Sequence, residues 1–200
     1  MMKAFLFDIG RVLLNFDFQR AAMQMQAHSP CSADVIWKQV ESLHVPLETG
    51  LISTEAFVSQ AMSAIEYRGT ADQFAASFCD IFTRNDSMWQ LVKRLRHQFP
   101  LYLFSNTSEL HWQYLQAHFP EFAWFTDGVF SMRARAMKPD RAIYEAAHQL
   151  LAVPPEEVFY LDDLPANIAA GQAFGFQTHL YSATDHAQLL AALEVRGLSV

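Results

Sequence analysis

The sequence predicts an α/β protein: a doubly wound, parallel, five-stranded sheet with a small α-helical cap inserted after the first strand. Three observations lead there. Short apolar runs of strand length recur in the second half of the chain and alternate with segments of helical periodicity. One further run stands alone near the N-terminus, and the next begins only after residue 100. The long stretch between the two contains helical patterns and no good strand. A chain of 200 residues suits one core with a modest insertion.

The elements follow in order. "KAFLF" (residues 3–7) is continuously apolar, as expected of a strand buried on both faces, and ends in Asp8, with Gly10 two residues on. Residues 17–86 are expected to be the helical cap, with residues 1–16 and 87–200 forming the core. Within the cap, Ser32 opens "SADVIWKQVESL", and Ser53 and Glu55 open a helix carrying Phe57, Ala61 and Ile65. Thr70 and Gln73 have capping-box spacing, and Phe74, Phe78, Ile81 and Phe82 follow on one predicted face. The remaining strands are "LYLFSN", "GVFSM", "VFYLDD" and "QTHLY". Pro139 is placed as a first helical residue, with Ile143, Ala147, Leu150 and Leu151 recurring behind it. Pro165 starts a last helix that Gly175 stops.

Composition narrows the function. Hydrophobic residues make up 52% of the chain and include 17 Phe, enough for a packed core. The net charge of −7 argues against a nucleic-acid partner but not against a local phosphate pocket. No apolar run is long enough for a membrane span, and the opening residues lack the form of a secretion signal. A cytoplasmic protein is expected, with Cys31 and Cys79 as reduced thiols.

Open α/β sheets bind ligands beyond the carboxyl ends of their strands. Here the runs end in polar groups that suit one site: Asp8; then Ser105, Asn106 and Thr107; then Lys138; then Asp162 and Asp163, with Asn167 a helical turn on. Each has an ordinary alternative. A Ser-Asn-Thr commonly caps a helix, a lone Lys commonly faces water, and an Asp pair commonly caps the next helix. Together they offer three carboxylates for a hard cation and hydroxyl, amide and ammonium donors for an anion. Magnesium, which takes one or two carboxylates plus a substrate phosphate, fits that inventory.

The set "FDIG", "SNT", "KPDRAIY" and "YLDDLPANI" resembles the four motifs of the haloacid dehalogenase-like (HAD) hydrolase superfamily. "LETGLISTEAF" (residues 47–57) is similar to a cap segment of its sugar-phosphatase branch, and the "FDIG" motif resembles that of bacterial α-D-glucose 1-phosphate phosphatases. The resemblance implies a HAD-type Rossmannoid core and a Mg²⁺-dependent phosphatase acting on a small phosphorylated metabolite, with a hexose 1-phosphate as the best guess. Asp8 would be the nucleophile and form an aspartyl-phosphate. The metal would be held by Asp8, the Gly10 carbonyl and a carboxylate of the Asp162/Asp163 pair. Ser105, Asn106, Thr107 and Lys138 would take the phosphoryl group, and Asn167 would orient the acidic loop.

Most such phosphatases carry a second Asp where this chain has Gly10, and that Asp serves as acid and base. Its absence favours an acidic leaving group, such as an anomeric hydroxyl, or a surrogate among Asp17, Glu48 and His111. Arg11, next to Gly10, faces either the site or solvent. Two alternatives stay open: a metal-free 2-haloacid dehalogenase, and a weakly catalytic protein that binds a phosphorylated ligand.

Overall fold

The lone N-terminal run becomes β1 (Ala4–Phe7), with all four residues buried, in a computed structural model that describes residues 2–198. A short loop leads to β2 (Leu14–Phe16), followed by helices α1 (Phe18–Gln26), α2 (Ala33–Glu41), α3 (His44–Glu48), α4 (Thr54–Ala64) and α5 (Ala71–Cys79). The chain returns through β3 (Phe82–Arg84) to α6 (Asp86–Leu95). From there strands and helices alternate: β4 (Leu101–Ser105), α7 (Glu109–His118), β5 (Asp127–Phe130), α8 (Ser131–Ala134), α9 (Arg141–Leu151), β6 (Val158–Asp162), α10 (Pro165–Phe174), β7 (Gln177–Leu180) and α11 (His186–Glu194).

Five strands form one parallel sheet in the order β5-β4-β1-β6-β7. The chain runs outward from β1 to β5, then crosses back to β6, so the order reverses beside β1. Side-chain alternation along β1 feeds two apolar layers. Phe5 and Phe7 join Leu91, Val92 and Leu161 on one face, whereas Ala4 and Leu6 join Ile143, Tyr144 and Ile168 on the other. The helical insertion has an apolar cluster of its own, centred on Phe57, Phe74 and Phe78.

The local signals act as expected at several points. Thr70 and Gln73 form a reciprocal capping box, at 3.2 and 2.8 Å. Ser53 Oγ accepts from the Ala56 N–H, and Gly175 closes α10 in the left-handed conformation at φ 109°. Three expectations need correction. The 17–86 segment does contain a strand, β3, which pairs antiparallel with β2 (Phe16↔Phe82, Leu14↔Arg84). This long-range pairing takes Ile81 and Phe82 away from α5, which stops at Cys79. The next helix, α6, starts at Asp86. Pro139 precedes its helix, because the Asp140 N–H closes a turn onto the Met137 carbonyl at 2.7 Å and α9 starts at Arg141. Residues 1, 199 and 200 of the expected core segments lie outside the described residues.

Gly171 lets α10 approach β6: a Cβ there would lie 2.7 Å from the Tyr160 ring. That ring is fully buried against Phe104, Tyr144 and Phe176 and cannot give way. Gly171→Ala is expected to destabilise the fold by about 1–3 kcal/mol, the usual cost of overpacking, as measured by urea denaturation.

Candidate active site

The ends of β1, β4 and β6 converge where the strand order reverses. Asp8 follows β1 directly, Ser105 ends β4, and Asp162 ends β6. At the centre lies the Lys138 ammonium, with its side chain 1% exposed. It donates to Asp8 Oδ1 at 2.9 Å, to Asp162 Oδ2 at 2.6 Å and to the Phe104 carbonyl at 2.7 Å. An ammonium has three N–H groups, and all three are used. Burial alone would push Lys138 down, but Asp8 and Asp162 together outweigh it and hold its pKa above the ordinary lysine value. Burial pushes the Asp8 carboxyl up to about 7, opposed by Lys138 and reinforced by Asp162 and Asp163.

Asp162 and Asp163 differ sharply. Asp162 is wholly buried, and its Oδ1 accepts from the Leu164 N–H at 2.9 Å and from Asn167 Nδ2 at 3.0 Å. Its Oδ2 accepts from Lys138 and from the Tyr160 hydroxyl, the latter at 2.5 Å. Four donors therefore occupy its two oxygens. Asp163 turns the other way, into the cleft, where Arg11 Nε lies 3.9 Å from its Oδ2. Oxygens of Asp8, Asp162 and Asp163 lie within 4.8 Å of one another.

A cleft of about 160 Å³ opens onto this group, lined by Asp8, Gly10, Ser105, Asn106, Lys138 and Asp163 among others. Arg11, Phe16, Leu164 and Asn167 complete its wall. Larger clefts lie against α7 and β5, and between α4 and α5, but neither contains a carboxylate cluster. The Asn106 side chain is engaged on both sides: Nδ2 donates to the Lys138 carbonyl and Oδ1 accepts from the Lys138 N–H. Thr107 is not in the cleft wall. Its backbone N–H and carbonyl are both bonded to the Ser131 hydroxyl, so it anchors the loop from behind.

The surrogate acids part company. Asp17 is exposed and caps α1, accepting from the Gln19 N–H. His111 is buried and stacked on Phe78 with ring centroids 4.4 Å apart, and burial pushes its pKa down to about 3. Glu48 ends α3, and burial and the Asp8 charge push its carboxyl up to about 7, against the opposing charge of Lys138. Arg11 faces the cleft with its guanidinium over the Phe16 ring, at 5.0 Å.

Sequence reasoning missed Tyr160 and Phe16. Tyr160 lies two residues before Asp162 on the same strand, hence on the same face, and that spacing was its available signal.

An aspartate just past the carboxyl end of the first strand, held by a buried lysine where the strand order reverses, stands where doubly wound α/β folds bind their ligands. Residues 2–175 match the family model of haloacid dehalogenase-like hydrolases, and the chain belongs to that family. Its fold is similar to that of a HAD family enzyme from Bacteroides thetaiotaomicron, solved in complex with magnesium and inorganic phosphate. The two share 23% identity with a TM-score of 0.80, over 92% of this chain and 96% of that one. It is also similar to a HAD-like family hydrolase from Porphyromonas gingivalis (22% identity, TM-score 0.81, 98% of each chain). The L-2-haloacid dehalogenase from Xanthobacter autotrophicus matches less well, at 20% identity and a TM-score of 0.64 over 89% of this chain and 76% of that one. Among the described residues no helix is long and apolar enough to cross a membrane.

The buried histidine gives a test of stability. Above pH 6.5 His111 is neutral whether the chain is folded or not. Below 6.5 the unfolded chain takes up a proton that the buried ring refuses until about 3, so this histidine's contribution to stability falls as pH drops through that window, against the opposite contribution of the raised Asp8 and Glu48 carboxyls. The loss is on the order of 1 kcal/mol per pH unit for each such group. Neighbouring His44, pushed down to about 4 by burial, contributes in the same direction. His111→Phe should keep the stack and flatten the dependence of unfolding free energy on pH between 6.5 and 4.

Proposed function

We propose that the chain is a Mg²⁺-dependent phosphatase that forms an aspartyl-phosphate on Asp8 and acts on a small phosphorylated metabolite, preferentially a hexose 1-phosphate. The observation that carries this is the carboxylate group of Asp8, Asp162 and Asp163. Lys138 and the more exposed Arg11 supply two positive charges against three acids, a deficit that suits a hard cation. The donor set fits magnesium: Asp162 is saturated by protein donors, which leaves Asp8, Asp163 and the Gly10 carbonyl as ligands. The ion would draw charge from the phosphoryl oxygens and keep the two carboxylates together. The Bacteroides thetaiotaomicron complex with magnesium and phosphate supports the same reading. A metal-free dehalogenase would have no use for this excess of acid. Two free cysteines suit a reducing cytoplasm.

This chain's own groups divide the work. Asp8 attacks phosphorus in line, and a new P–O bond forms as the ester P–O bond breaks. The Ser105 hydroxyl and the Asn106 backbone N–H face the phosphoryl oxygens, and Lys138 adds its charge from behind Asp8. Water then releases phosphate and restores the carboxylate.

Gly10 carries the preference for substrate. Its φ is not in the left-handed region, so another residue could adopt this backbone, but a Cβ would lie 3.0 Å from the Phe16 ring. With no acid at that position, the departing oxygen must leave as a good anion. An anomeric oxygen does so more readily than a primary alkoxide.

The test is phosphate release from a panel of phosphorylated metabolites with and without Mg²⁺. Asp8→Asn should abolish release while the fold remains. Millimolar Mg²⁺ should raise the wild-type melting temperature by about 2–4 °C for each kcal/mol of binding linkage. Asp163→Asn should lose most of that shift. Retained turnover in Asp8→Asn would refute the covalent route.

A second expectation concerns the leaving group. In single turnovers, anomeric and acyl phosphates should phosphorylate Asp8 at least about tenfold faster than primary-alcohol phosphates, since general acid help is worth roughly 10²–10⁴-fold. A Gly10→Asp, Phe16→Ala double variant should narrow that gap.

A further inference from the structure

Given the phosphatase reading above, the cleft must hold the organic half of the substrate as well as its phosphoryl group. We propose that Arg11 is the specificity-determining residue of this site, donating hydrogen bonds to the hydroxyl oxygens of a sugar leaving group.

The wall of the cleft leaves few candidates. Asp8, Gly10 and Asp163 stand at the position of the cation, and Ser105, Asn106 and Lys138 serve the phosphoryl group. Asn167 is buried, and its Nδ2 is engaged by Asp162 Oδ1 at 3.0 Å. Arg11, Phe16 and Leu164 are left for the rest of the substrate. Of these three, Arg11 alone has a polar side chain.

Its guanidinium is held in place without being engaged. Nε lies 3.9 Å from Asp163 Oδ2, beyond hydrogen-bond distance, and an oxygen of Asp163 lies within 4.8 Å of one of Asp8. The guanidinium carbon lies 5.0 Å from the centroid of the Phe16 ring. Stacking of this kind leaves the in-plane N–H groups free, and among the described residues the Arg11 side chain makes no hydrogen bond. The same Phe16 ring fills the space beside Gly10, 3.0 Å from where a Cβ would stand, and that point is 3.9 Å from Asp8 Oδ2. Lys138 takes Oδ1 of Asp8, so the stack stands beside the oxygen that the lysine leaves free.

The backbone gives no reason of its own for an arginine. Arg11 adopts φ 55°, in the left-handed region that glycine enters without steric cost. Its N–H donates to the Leu14 carbonyl at 2.7 Å, and Gly10 bridges to Leu14, which closes the turn after β1 onto β2. Phe16 ends β2, so one turn fixes both members of the stack. Glycine would suit that turn better; what the arginine adds is its guanidinium. Five N–H donors and a charge that persists at any working pH let it recognise oxygens without acting as the missing acid.

Steady-state kinetics with Mg²⁺ on glucose 1-phosphate and p-nitrophenyl phosphate test this, with wild type, Arg11→Gly and Arg11→Lys. The nitrophenyl ester has no hydroxyl for Arg11 to hold. In Arg11→Gly, kcat/KM on glucose 1-phosphate should fall about 10–100-fold, mainly through a higher KM, as expected for lost hydrogen bonds to a charged donor. On p-nitrophenyl phosphate the fall should be under about threefold. Arg11→Lys, which keeps the charge without the planar fork, should recover part of the loss. Arg11→Gly should melt within about 3 °C of wild type, because glycine suits the turn. Its Mg²⁺-dependent rise in melting temperature should persist, which separates lost recognition from a lost fold or a lost metal site. Equal falls on the two esters would overturn the assignment, as would an unchanged kcat/KM on glucose 1-phosphate. A wild type that hydrolyses p-nitrophenyl phosphate but no sugar phosphate would also overturn it, leaving the covalent phosphatase reading standing. A wild type that releases phosphate from no substrate would overturn both.

Discussion

The Lys138 ammonium is the interaction on which the rest of the site depends. It lies beneath the cleft and joins three strand ends: Asp8 after β1, the Phe104 carbonyl in β4, and Asp162 at the end of β6. A buried cation with every N–H satisfied and two carboxylates beside it is stable; removing one partner of such a group costs about 3–5 kcal/mol. The backbone of the same lysine is clamped by the Asn106 side chain on both its N–H and its carbonyl. Its position therefore follows from the loop after β4, and the orientation of Asp8 follows from its position. Since no N–H is left over, Lys138 would act in the proposed mechanism through its charge and through Asp8 rather than by a direct hydrogen bond to the phosphoryl group.

The acidic pair shows how adjacent residues with the same side chain come to do different work. Successive side chains leaving a strand point to opposite sides. Asp162 points inward to Tyr160, Lys138, Asn167 and the Leu164 N–H, and its four acceptor sites are filled. Asp163 therefore points into the cleft. The buried carboxylate offsets the lysine and fixes the start of α10, while the other faces the cleft with Arg11 as its loose partner. Gly171 belongs to the same arrangement, since its missing side chain lets the Tyr160 ring stand where its hydroxyl reaches Asp162.

The sheet and its strand-end groups were legible because each signal was local and strong. β1, β4 and β6 are continuous apolar runs that stop at Asp8, Ser105 and Asp162, and polar groups at three strand ends in one sheet point to a single site. The helices of the insertion were legible where a capping residue marks them, at Ser53 and Thr70. What could not be read was set by distance in sequence. β2 and β3 have three residues each and exist by pairing across the whole insertion, so periodicity carries no trace of them. Thr107 reads as a member of its motif, but its role behind the loop depends on Ser131, 24 positions away. Asp17, Glu48 and His111 were all candidates for a surrogate acid in the sequence, and packing of the insertion against α7 removes His111 by stacking Phe78 on it.

Gly10 and Phe16 together give the site its character. Where an acid would stand beside Asp8, the chain has a glycine whose space is taken by an aromatic ring, with the Arg11 guanidinium over that ring. The wall beside the leaving group is thus apolar and cationic, and it lacks an acid of its own. On the proposed phosphatase reading, such a wall would suit a sugar ring with hydroxyls at its edge, whose anomeric oxygen could leave without a proton from the Gly10 position.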